Sequence, residues 1–491
     1  MKTLFIYPQM SGHGDIPIAL TTLTAVLRNA GHSVELFDCS QYTASEDIEF
    51  LYSIGMLRPP PPPPVSPPPQ KDLSSLEKDL VDKITKFNPD LVGITATSGT
   101  YPLGLACSKI IKKHFPEIRI IFGGIHPTIC PEEVIKEDSV DIICIGEGED
   151  AMVELCGAIE ENKPINKIKN LWAKDQANSE VIYKNPLRDL KDLNALPVQD
   201  FIDFHEYEFY RPLDGKIYKM MNTSISRGCI FNCSYCVNHV LQKLFKGCGA
   251  YHRRMIPEIA VKHLKELRDT YKFELVRFWD EDFTTLPMSY LKEFSKLYQR
   301  EVNLPFLICA GTRTITEEKV ACLKEMNCVT IAMGIESGNP WMRKYILNRD
   351  TSDEEIIEKF EIVKKSGIRV SAYNMIGLPF ETREMVFETI NLNRKVNAAT
   401  SSVAPFKPYP KTRLEEIAKE FGFLRKTQNY LSWQTDLNSP YLSSGEVDGL
   451  VRTFSLYCKV PEEFFPLLEK SEKSKQFAQE VFPKLIRYLA I

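Results

Sequence analysis

The sequence contains no apolar run that approaches the ~18 residues needed to cross a membrane, so we expect no membrane span. It has no long basic face and no acidic tail, and its net charge over 491 residues is only −4. We therefore expect neither nucleic acid nor an anionic membrane surface as a partner. The apolar stretch in residues 1–8 is too short for a signal peptide and indicates a first strand.

The thirteen cysteines are an odd number scattered along the chain. Such a distribution disfavours a disulfide framework and predicts a reducing, cytoplasmic location. Three of them, Cys229, Cys233 and Cys236, stand out because they form one C-x3-C-x2-C group. No second group of this kind occurs in the first 160 residues.

Thiolates are soft ligands, and three on one short loop can each bind one iron of a four-iron, four-sulfur cluster. The loop supplies no fourth cysteine, so the fourth iron of such a cluster would be open to another ligand. The alternative is a structural zinc site closed by Cys248 or His239. Zinc sites usually present a second pair of Cys or His ligands, which the sequence lacks, so the spacing favours the cluster.

Residues 1–160 alternate short apolar runs with helical stretches, which is the pattern of a Rossmann-like, doubly wound parallel α/β sheet. Such sheets bind ligands beyond the carboxyl ends of their strands. Small residues at these ends would let a ligand approach the backbone. The predicted crevice residues are Thr95, Ser98, Gly99, Gly123, Gly124, His126, Gly146, Glu147 and Gly148.

After a connector predicted over residues 161–215, the strand–helix alternation resumes. Six such units over residues 216–410 predict a partial (β/α)6 barrel of the TIM type, with its chemistry at the carboxyl ends of its strands. The cysteine group follows the first of these strands. Residues 411–491 lack the alternation and predict a small C-terminal helical region. The proline tract between residues 59 and 69 predicts a loop, because polyproline is extended and cannot donate backbone hydrogen bonds.

Polar or glycine residues also follow the later strands of the predicted barrel. In strand order they are Asp280 and Glu281, Arg313, Glu336 and Ser337, and Gly377. The alternative for each carboxylate is a solvated loop, and the alternative for the arginine is a surface ion pair. Their succession along one barrel, after the cysteine group, favours a shared ligand site.

The C-x3-C-x2-C spacing, with Tyr235 before the last cysteine and Arg227-Gly228 ahead of the first, resembles the signature of the radical S-adenosylmethionine (SAM) enzymes. The resemblance implies that the three cysteines hold a [4Fe-4S] cluster whose open iron chelates the amino and carboxylate groups of SAM. It also implies that Asp280 and Glu281 contact the SAM amino group. The other SAM contacts that it implies are Tyr235 beside the cluster, Arg313 at the carboxylate, Glu336 and Ser337 at the ribose, and Gly377 beside the adenine.

The two predicted domains together resemble the cobalamin-binding branch of this superfamily. The resemblance covers nearly the whole chain and includes the turns at residues 123–128 and 146–149 and the tail at residues 452–457. It implies that the first domain holds cobalamin against the barrel mouth. The motif Asp-x-His-x-x-Gly, which supplies an axial histidine in cobalamin enzymes of another type, is absent, since Asp203-Phe-His205 lacks the glycine. We therefore expect cobalamin without a histidine ligand from the protein, with His126 as the alternative.

Many characterised members of this branch are methyltransferases. The resemblance thus implies an enzyme that cleaves SAM reductively to a 5′-deoxyadenosyl radical and transfers a methyl group, through methylcobalamin, to an unactivated carbon or phosphorus of a small molecule. An electron donor such as flavodoxin or ferredoxin is the implied partner. The alternatives are a radical SAM cyclase or ring-rearranging enzyme without methyl transfer, and a non-catalytic cluster or cobalamin sensor. The sequence identifies neither the substrate nor a catalytic residue.

Overall fold

The computed structural model describes residues 1–9, 15–43, 62–175, 177–425 and 434–489. The first part of the chain is built around a seven-stranded sheet. The strands of this part are β1 (Lys2–Tyr7), β2 (Ser33–Asp38), β3 (Tyr42–Thr43), β4 (Lys71–Asp72), β5 (Leu91–Thr95), β6 (Arg119–Gly123), β7 (Ile142–Cys144), β8 (Leu171–Lys174) and β9 (Ile182–Lys184). Its helices are α1 (Ile18–Asn29), α2 (Leu76–Phe87), α3 (Tyr101–His114), α4 (Ile125–Ile129), α5 (Pro131–Val134) and α6 (Glu149–Glu160).

Parallel strands in the order β2-β1-β5-β6-β7 form the centre of this sheet, and β8 and β9 extend it in antiparallel pairing at one edge. This is a doubly wound order, in which ligands bind beyond the carboxyl ends of the strands. The central strands are continuous apolar runs because both of their faces are covered. In β6, for example, Ile120, Ile121 and Phe122 are all buried. The predicted Rossmann-like sheet is confirmed, and it also takes up β8 and β9 from the predicted connector.

The proline tract forms neither helix nor strand at residues 62–70, as predicted. Its first three prolines, at 59–61, lie outside the described residues. Within the described ranges, no helix is both long enough and apolar enough to cross a membrane.

The second part of the chain is built around another seven-stranded sheet. Its strands, together with the short pair β12 and β13, are β10 (Tyr210–Leu213), β11 (Lys216–Thr223), β12 (Ser226–Arg227), β13 (Arg253–Arg254), β14 (Leu275–Phe278), β15 (Phe306–Ala310), β16 (Cys328–Glu336), β17 (Arg369–Ile376) and β18 (Thr400–Pro405). The helices of this part are α7 (Asn238–Leu244), α8 (Pro257–Tyr271), α9 (Met288–Glu301), α10 (Glu317–Glu325), α11 (Asp353–Lys365), α12 (Arg383–Val396), α13 (Arg413–Glu420), α14 (Ser444–Tyr457), α15 (Phe465–Lys473) and α16 (Lys475–Leu489).

Parallel strands in the order β11-β14-β15-β16-β17-β18 form the predicted partial barrel, and β10 pairs antiparallel with β11 at its edge. Aromatic rings fill the space between β14, β15 and α9. The ring centroid of Phe278 lies 5.5 Å from that of Phe306 and 6.4 Å from that of Phe294, and all three side chains are buried. Because the six strands are parallel, their carboxyl ends meet at one end of the barrel, where the candidate site lies.

The chain after β18 forms the predicted helical region, and α14 packs on β18. The Ser455 hydroxyl donates a hydrogen bond to the carbonyl of Ser401 (2.8 Å). Arg383 in α12 donates two hydrogen bonds to Glu472 in α15 (2.8 and 2.9 Å), and the Tyr457 hydroxyl donates to the same carboxylate (2.5 Å). This cover protects the last strand of the barrel, which would otherwise be an exposed sheet edge.

A single cluster of buried apolar side chains connects the first sheet to the barrel. It includes Leu27 in α1, Phe201 in the predicted connector and Leu264 in α8. Arg28 strengthens the same junction, with hydrogen bonds to Asp200 (2.6 Å) and Asp203 (2.7 Å). The two sheets therefore share a core instead of being joined only by a linker.

We expect Asn393→Ala to destabilise the barrel by about 1–3 kcal/mol, because it leaves the buried side-chain oxygen of Asn374 without its donor. The two side chains exchange hydrogen bonds, with Asn393 Nδ2 2.7 Å from Asn374 Oδ1 and Asn374 Nδ2 3.2 Å from Asn393 Oδ1. Thermal unfolding followed by circular dichroism measures the loss. The double variant Asn374→Ala/Asn393→Ala is the control and should lose less than the sum of the two single losses. Additive losses would contradict the proposed pairing.

Candidate functional site

The three cysteines lie on a loop that leaves and rejoins the barrel at one point. β12 and β13 pair antiparallel and close the base of this loop, with Arg227 opposite Arg253. We call residues 228–252 the cysteine loop; it contains α7. Gly228 begins it at a φ of +86°, and a Cβ atom there would collide with the carbonyl group of Tyr251. Glycine is therefore required for the two ends of the loop to meet this closely.

The cysteines are largely withdrawn from solvent: Cys233 is buried, and Cys229 and Cys236 are half-buried. The Phe231 backbone N–H donates to Cys229 Sγ (3.4 Å), and Asn238 Nδ2 donates to Cys236 Sγ (3.5 Å). Burial raises the pKa of the Cys229 thiol to about 11 and also raises the pKa of Cys236. A bound cation would therefore have to displace the thiol protons, as it does at other cysteine metal sites.

The spacing of the sulfurs does not suit a single zinc ion. Sulfur ligands of a tetrahedral zinc ion lie about 3.8 Å apart, given Zn–S bonds of about 2.3 Å. Among the described residues, the one trio whose ligand atoms all lie within 4.8 Å of one another is His126, Cys130 and Glu133. The three sulfurs of the cysteine loop form no such trio, so at least one pair of them lies more than 4.8 Å apart, which fits ligands of different irons better than ligands of one zinc ion.

The residues that the sequence offered as a fourth zinc ligand are also engaged elsewhere. His239 Nδ1 lies 2.6 Å from the carbonyl oxygen of Cys236, and its Nε2 accepts the N–H of Arg413 (3.3 Å). Cys248 packs in an apolar cluster that includes Phe245. The donor set of the loop therefore fits a cluster held by three cysteines, with one iron left open.

Carboxylates after β14 hold the backbone at the start of the cysteine loop. Asp280 accepts hydrogen bonds from the N–H of Ile225 (3.2 Å) and from the Ser226 hydroxyl, and burial raises the pKa of Asp280 to about 7. Glu281 accepts the N–H of Gly228 (3.1 Å), and burial raises the pKa of this carboxyl as well. The two predicted cofactor contacts of this strand end are therefore part of the hydrogen-bonded frame of the loop.

Two further strand ends reach the cysteine loop. The guanidinium of Arg313, after β15, lies 4.0 Å from the ring centroid of Phe231, between the first two cysteines. Tyr235 is joined to Glu336, at the end of β16, through Arg349, whose Nη1 lies 3.1 Å from Tyr235 Oη and 3.5 Å from Glu336 Oε1. Sequence reasoning missed Arg349, because it ends no strand and lies 114 positions from Tyr235.

Glu336 and Ser337 are neighbours with different surroundings. Glu336 has a φ of +66°, and burial raises the pKa of its carboxyl although the Arg349 guanidinium opposes this shift. Ser337 is fully buried, and its Oγ accepts the N–H of Asn339 (3.3 Å). The hydroxyl that we predict to contact a ribose is thus already used by its own turn, and its role stays a prediction.

The turn after β17 is held by a buried carboxyl that sequence reasoning did not single out. Gly377 has a φ of +79°, and its N–H donates to Glu381 Oε2 (2.6 Å), as does the N–H of Leu378 (3.1 Å). Glu381 is fully buried, and burial raises its pKa to about 8. The signal available in the sequence was a carboxylate four residues after a glycine, which is too common to be diagnostic.

In the first sheet, the ends of β5 and β6 lie side by side, with Thr95 opposite Gly123. Gly124 has a φ of +100°, and a Cβ atom there would lie 2.7 Å from the carbonyl oxygen of Ala96. Its glycine is therefore required by the contact between the two turns. Ser98 lies in the turn after β5 with Gly99 next to it, so the structure places the predicted crevice residues of these two strands together.

His126 lies at the same strand ends and is buried. Its Nδ1 is 3.1 Å from Ser98 Oγ, and its ring centroid lies 4.3 Å from that of Tyr101. Its Nε2 has no hydrogen-bond partner among the described residues and lies 3.7 Å from a carboxylate oxygen of Glu133. The imidazole is thus held by Ser98 on one side and faces the Glu133 carboxylate on the other.

The turn after β7 contacts the cysteine loop instead of only bordering the crevice. Gly146 has a φ of +82°, and a Cβ atom there would lie 2.7 Å from Phe245 Cζ, in the cysteine loop. Glu147 accepts a hydrogen bond from Arg227 Nη1 (2.9 Å). Gly148 then precedes α6. The third set of predicted crevice residues therefore joins the first sheet to the cysteine loop.

Two family profiles match the chain. The Radical SAM superfamily matches residues 223–392, a range that contains the cysteine loop and the strand ends through β17. The B12 binding domain matches residues 67–156, a range that contains the ends of β5, β6 and β7. Each profile thus lies on one of the two sheets.

Known proteins resemble the chain over most of its length. The uncharacterized methyltransferase PH0819 of Pyrococcus horikoshii is 27% identical over 414 residues, 84% of this chain and 87% of that protein. The anaerobic magnesium-protoporphyrin IX monomethyl ester cyclase of Rubrivivax gelatinosus is 26% identical over 357 residues, 72% of this chain and 61% of that protein. The structure of TsrM from Kitasatospora setae, a radical S-adenosylmethionine methyltransferase with cobalamin and a [4Fe-4S] cluster bound, matches 100% of this chain and 99% of that chain, with a TM-score of 0.66 and 14% identity. At that identity the likeness shows the fold.

We expect Gly228→Ala to reduce the iron and sulfide bound after anaerobic reconstitution, because the added methyl group forces apart the two ends of the cysteine loop. The control is Gly247→Ala in the same loop, where φ is also positive but no atom lies within 4 Å of the new Cβ. Iron and sulfide assays on both variants measure the effect. An equal loss of iron in the two variants, relative to the wild type, would show that backbone strain, and not the contact with Tyr251, limits iron binding.

We expect Glu381→Gln to change the pH dependence of stability. Because the folded pKa of Glu381 is raised to about 8, its contribution to stability is full below its ordinary pKa near 4.5 and is lost as the pH rises through 8. The stability of the wild type relative to the variant should therefore fall between pH 5 and pH 8, by at most about 1.4 kcal/mol per pH unit. Melting temperatures of both proteins at pH 5, 6.5 and 8 measure this. Parallel pH profiles would be incompatible with a neutral buried carboxyl.

The two family matches agree with the geometry of the chain. The Radical SAM match contains the cysteine loop with its three thiol ligands, and the B12 binding match contains the crevice of the first sheet. The comparisons also supply the cofactors that such a pair of domains binds, which are a [4Fe-4S] cluster, SAM and cobalamin. The chain therefore combines a B12 binding domain with a Radical SAM superfamily domain.

Proposed function

We propose that this enzyme transfers a methyl group to a small molecule, with cobalamin held by the first sheet and SAM bound at the cysteine loop. The observation that carries the proposal is the direct contact between the two sites. Gly146 of the first sheet packs against Phe245 of the cysteine loop, and Glu147 pairs with Arg227 at its base. A barrel that used SAM alone would not need its cysteine loop to rest on the end of a cobalamin-binding sheet.

In this proposal Cys229, Cys233 and Cys236 hold the cluster and leave one iron for SAM. When they are bound, the cluster supplies the electron that cleaves SAM, and cobalamin carries the methyl group. The surrounding residues bind and orient SAM and exclude water from it. Arg313 supports this role, because its exposed guanidinium lies over Phe231 of the loop and has a planar fork available for a carboxylate.

Arg349 is a further positioning residue in the proposed SAM site. Its Nη1 holds Glu336 beside Tyr235, and its Nη2 donates a hydrogen bond to the Gly334 carbonyl (2.9 Å). The carboxylate that we assign to the ribose is thereby fixed relative to the cysteine loop. The complete set of proposed SAM contacts is Tyr235, Asp280, Glu281, Arg313, Glu336, Ser337 and Gly377.

The cobalamin site is proposed at the ends of β5, β6 and β7. Its residues are Thr95, Ser98, Gly99, Gly123, Gly124, His126, Gly146, Glu147 and Gly148. His126 is held by Ser98 and directs its second nitrogen toward Glu133, on the adjacent short helix. This orientation supports our proposal that cobalt receives no histidine ligand from the protein.

A radical SAM cyclase is the second candidate, because the Rubrivivax gelatinosus relative is named a cyclase. A methyltransferase is favoured by the longer match to the Pyrococcus horikoshii relative. In either case we propose a reduced flavodoxin or ferredoxin as the electron donor.

All thirteen cysteines are free, which supports a reducing compartment such as the cytoplasm.

Counting the products of SAM tests the proposal. Protein reconstituted with iron, sulfide and cobalamin, then reduced and given SAM alone, should yield both 5′-deoxyadenosine and S-adenosylhomocysteine. Cys233→Ala should yield no 5′-deoxyadenosine. The matched control is Cys248→Ala, which removes a thiol from the same loop that packs against apolar groups, and it should retain both products.

The other outcomes separate the alternatives. 5′-Deoxyadenosine without S-adenosylhomocysteine would favour the cyclase and exclude methyl transfer through cobalamin. An intact cluster that cleaves no SAM would favour a sensor. Full 5′-deoxyadenosine formation by Cys233→Ala would remove the cysteine loop from the proposed mechanism.

A further inference from the structure

The base of the cysteine loop carries two like charges in direct opposition. Arg227 in β12 and Arg253 in β13 are cross-strand partners. Their side chains are only 24% and 13% exposed. Like charges in opposed positions destabilise a strand pair, and withdrawal from water increases the repulsion. β12 and β13 therefore need negative charge from elsewhere to stay paired.

That charge comes from the first sheet. Glu147 Oε1 accepts hydrogen bonds from Arg227 Nη1 (2.9 Å) and from Arg253 Nη2, so one carboxylate oxygen bridges the two guanidiniums. Glu149, at the start of α6, accepts a second hydrogen bond from Arg227 (2.7 Å). The side chains of Glu147 and Glu149 are 17% and 7% exposed. We call Glu147, Glu149, Arg227 and Arg253 the domain bridge.

The connector completes the bridge. The N–H of Lys191 donates to Glu147 Oε2 (2.8 Å), and Arg253 Nε donates to the carbonyl of Lys191 (3.1 Å). Glu147 thus bonds to both strands at the base of the loop and to the segment that links the two sheets. Both of its oxygens are occupied, which fixes the carboxylate in one orientation.

The bridge is next to the metal-binding part of the loop. Gly228 follows Arg227 directly, and its N–H is held by Glu281 (3.1 Å). Cys229 comes next in the chain. A displacement of Arg227 is therefore transmitted through a single residue to the first cysteine.

We propose that the domain bridge positions the cysteine loop against the first sheet, so that docking of the cobalamin-binding domain and closure of the loop base are one coupled event. The four residues are positioning residues and do not contact the reacting atoms. The inference rests on the proposed function only in assigning cofactors to the two sides of the bridge. Its structural core, the coupling of loop closure to domain docking, requires no reaction.

Hydrogen–deuterium exchange of the full chain tests the coupling. Glu149→Gln and Glu147→Gln should each accelerate exchange in residues 228–252 by about tenfold or more. Glu147→Gln leaves Arg253 without a carboxylate, and Glu149→Gln removes one of the two carboxylates that Arg227 contacts. Strands β15 to β18 should exchange as in the wild type. The matched control is Arg28→Gln, which breaks hydrogen bonds to two carboxylates at the other end of the junction and should leave residues 228–252 unchanged.

A double variant distinguishes loss of this charge pairing from general misfolding. Glu149→Gln/Arg227→Gln removes one charge of each sign, so its exchange in residues 228–252 should return toward the wild-type rate. Exchange that stays at the wild-type rate in both single variants would overturn the proposal. Acceleration spread evenly over the whole chain would also overturn it, because the residues would then act on global stability alone.

The consequence for the cofactors is tested by electron paramagnetic resonance of the reconstituted protein. Reduced cluster should accelerate the spin relaxation of cob(II)alamin in the wild type, and this acceleration should be smaller in Glu149→Gln at equal iron and cobalamin content. Suppose that residues 228–252 exchange faster in Glu149→Gln but the spin relaxation of cob(II)alamin is the same as in the wild type. The domain bridge would then control only closure of the loop, and its role in positioning the cofactors would be overturned. A wild type that makes no S-adenosylhomocysteine would contradict the proposed methyl transfer and leave the exchange result standing.

Discussion

Carboxylates withdrawn from water at the barrel mouth must each find a hydrogen-bond donor or a cation, and the cysteine loop is held in place by these pairings. Asp280 and Glu281 accept backbone N–H groups at the start of the loop. Asp282 accepts the N–H of Gly311 (2.9 Å) and so ties the end of β14 to the end of β15. Glu147 performs the same task from the first sheet. The loop has little regular structure of its own, so its position depends on acceptors that other strands supply.

This dependence explains which features could be predicted from the sequence. The alternation of apolar runs with helical stretches and the cysteine group are local patterns of a few residues, and the structure confirms the two sheets that the alternation predicts. The partners of the loop are not local. Arg227 pairs with Glu149 across 78 positions, and Arg349 reaches Tyr235 across 114. A single sequence carries no signal for such contacts, because the residues around an arginine in the sequence do not indicate whether its side chain is solvated or bonded to a distant buried carboxylate.

The role of the glycines at the strand ends also depends on contacts that the sequence does not reveal. We interpreted the glycines after β6 and β7 as space for a ligand, since a missing side chain lets a ligand approach the backbone. At Gly124 the space is filled by the carbonyl of Ala96, and at Gly146 it is filled by the ring of Phe245. Gly123 differs, because the nearest atom to a Cβ there is Cys144 Cβ at 3.9 Å. Glycine thus indicates close approach, but the approaching group can be the protein itself.

The first domain also contacts a strand of the barrel. Asp15, which precedes α1, bonds to Arg277 of β14 (2.9 Å), and the Arg277 guanidinium stacks 3.9 Å from the ring centroid of Trp279. Trp279 is 39% exposed and Tyr373 of β17 is 41% exposed, which is unusual for large rings at or within barrel strands. Burial still raises the pKa of Tyr373, and both Arg277 and Asp15 contribute to its electrostatic environment. A barrel of six parallel strands leaves an opening that further strands would close, and here a charged contact from the first domain lies beside rings that remain accessible. The first domain is therefore bonded to the barrel at two separate places, at the base of the cysteine loop through Glu147 and beside these exposed rings through Asp15, so its docking constrains β12 and β14 at once.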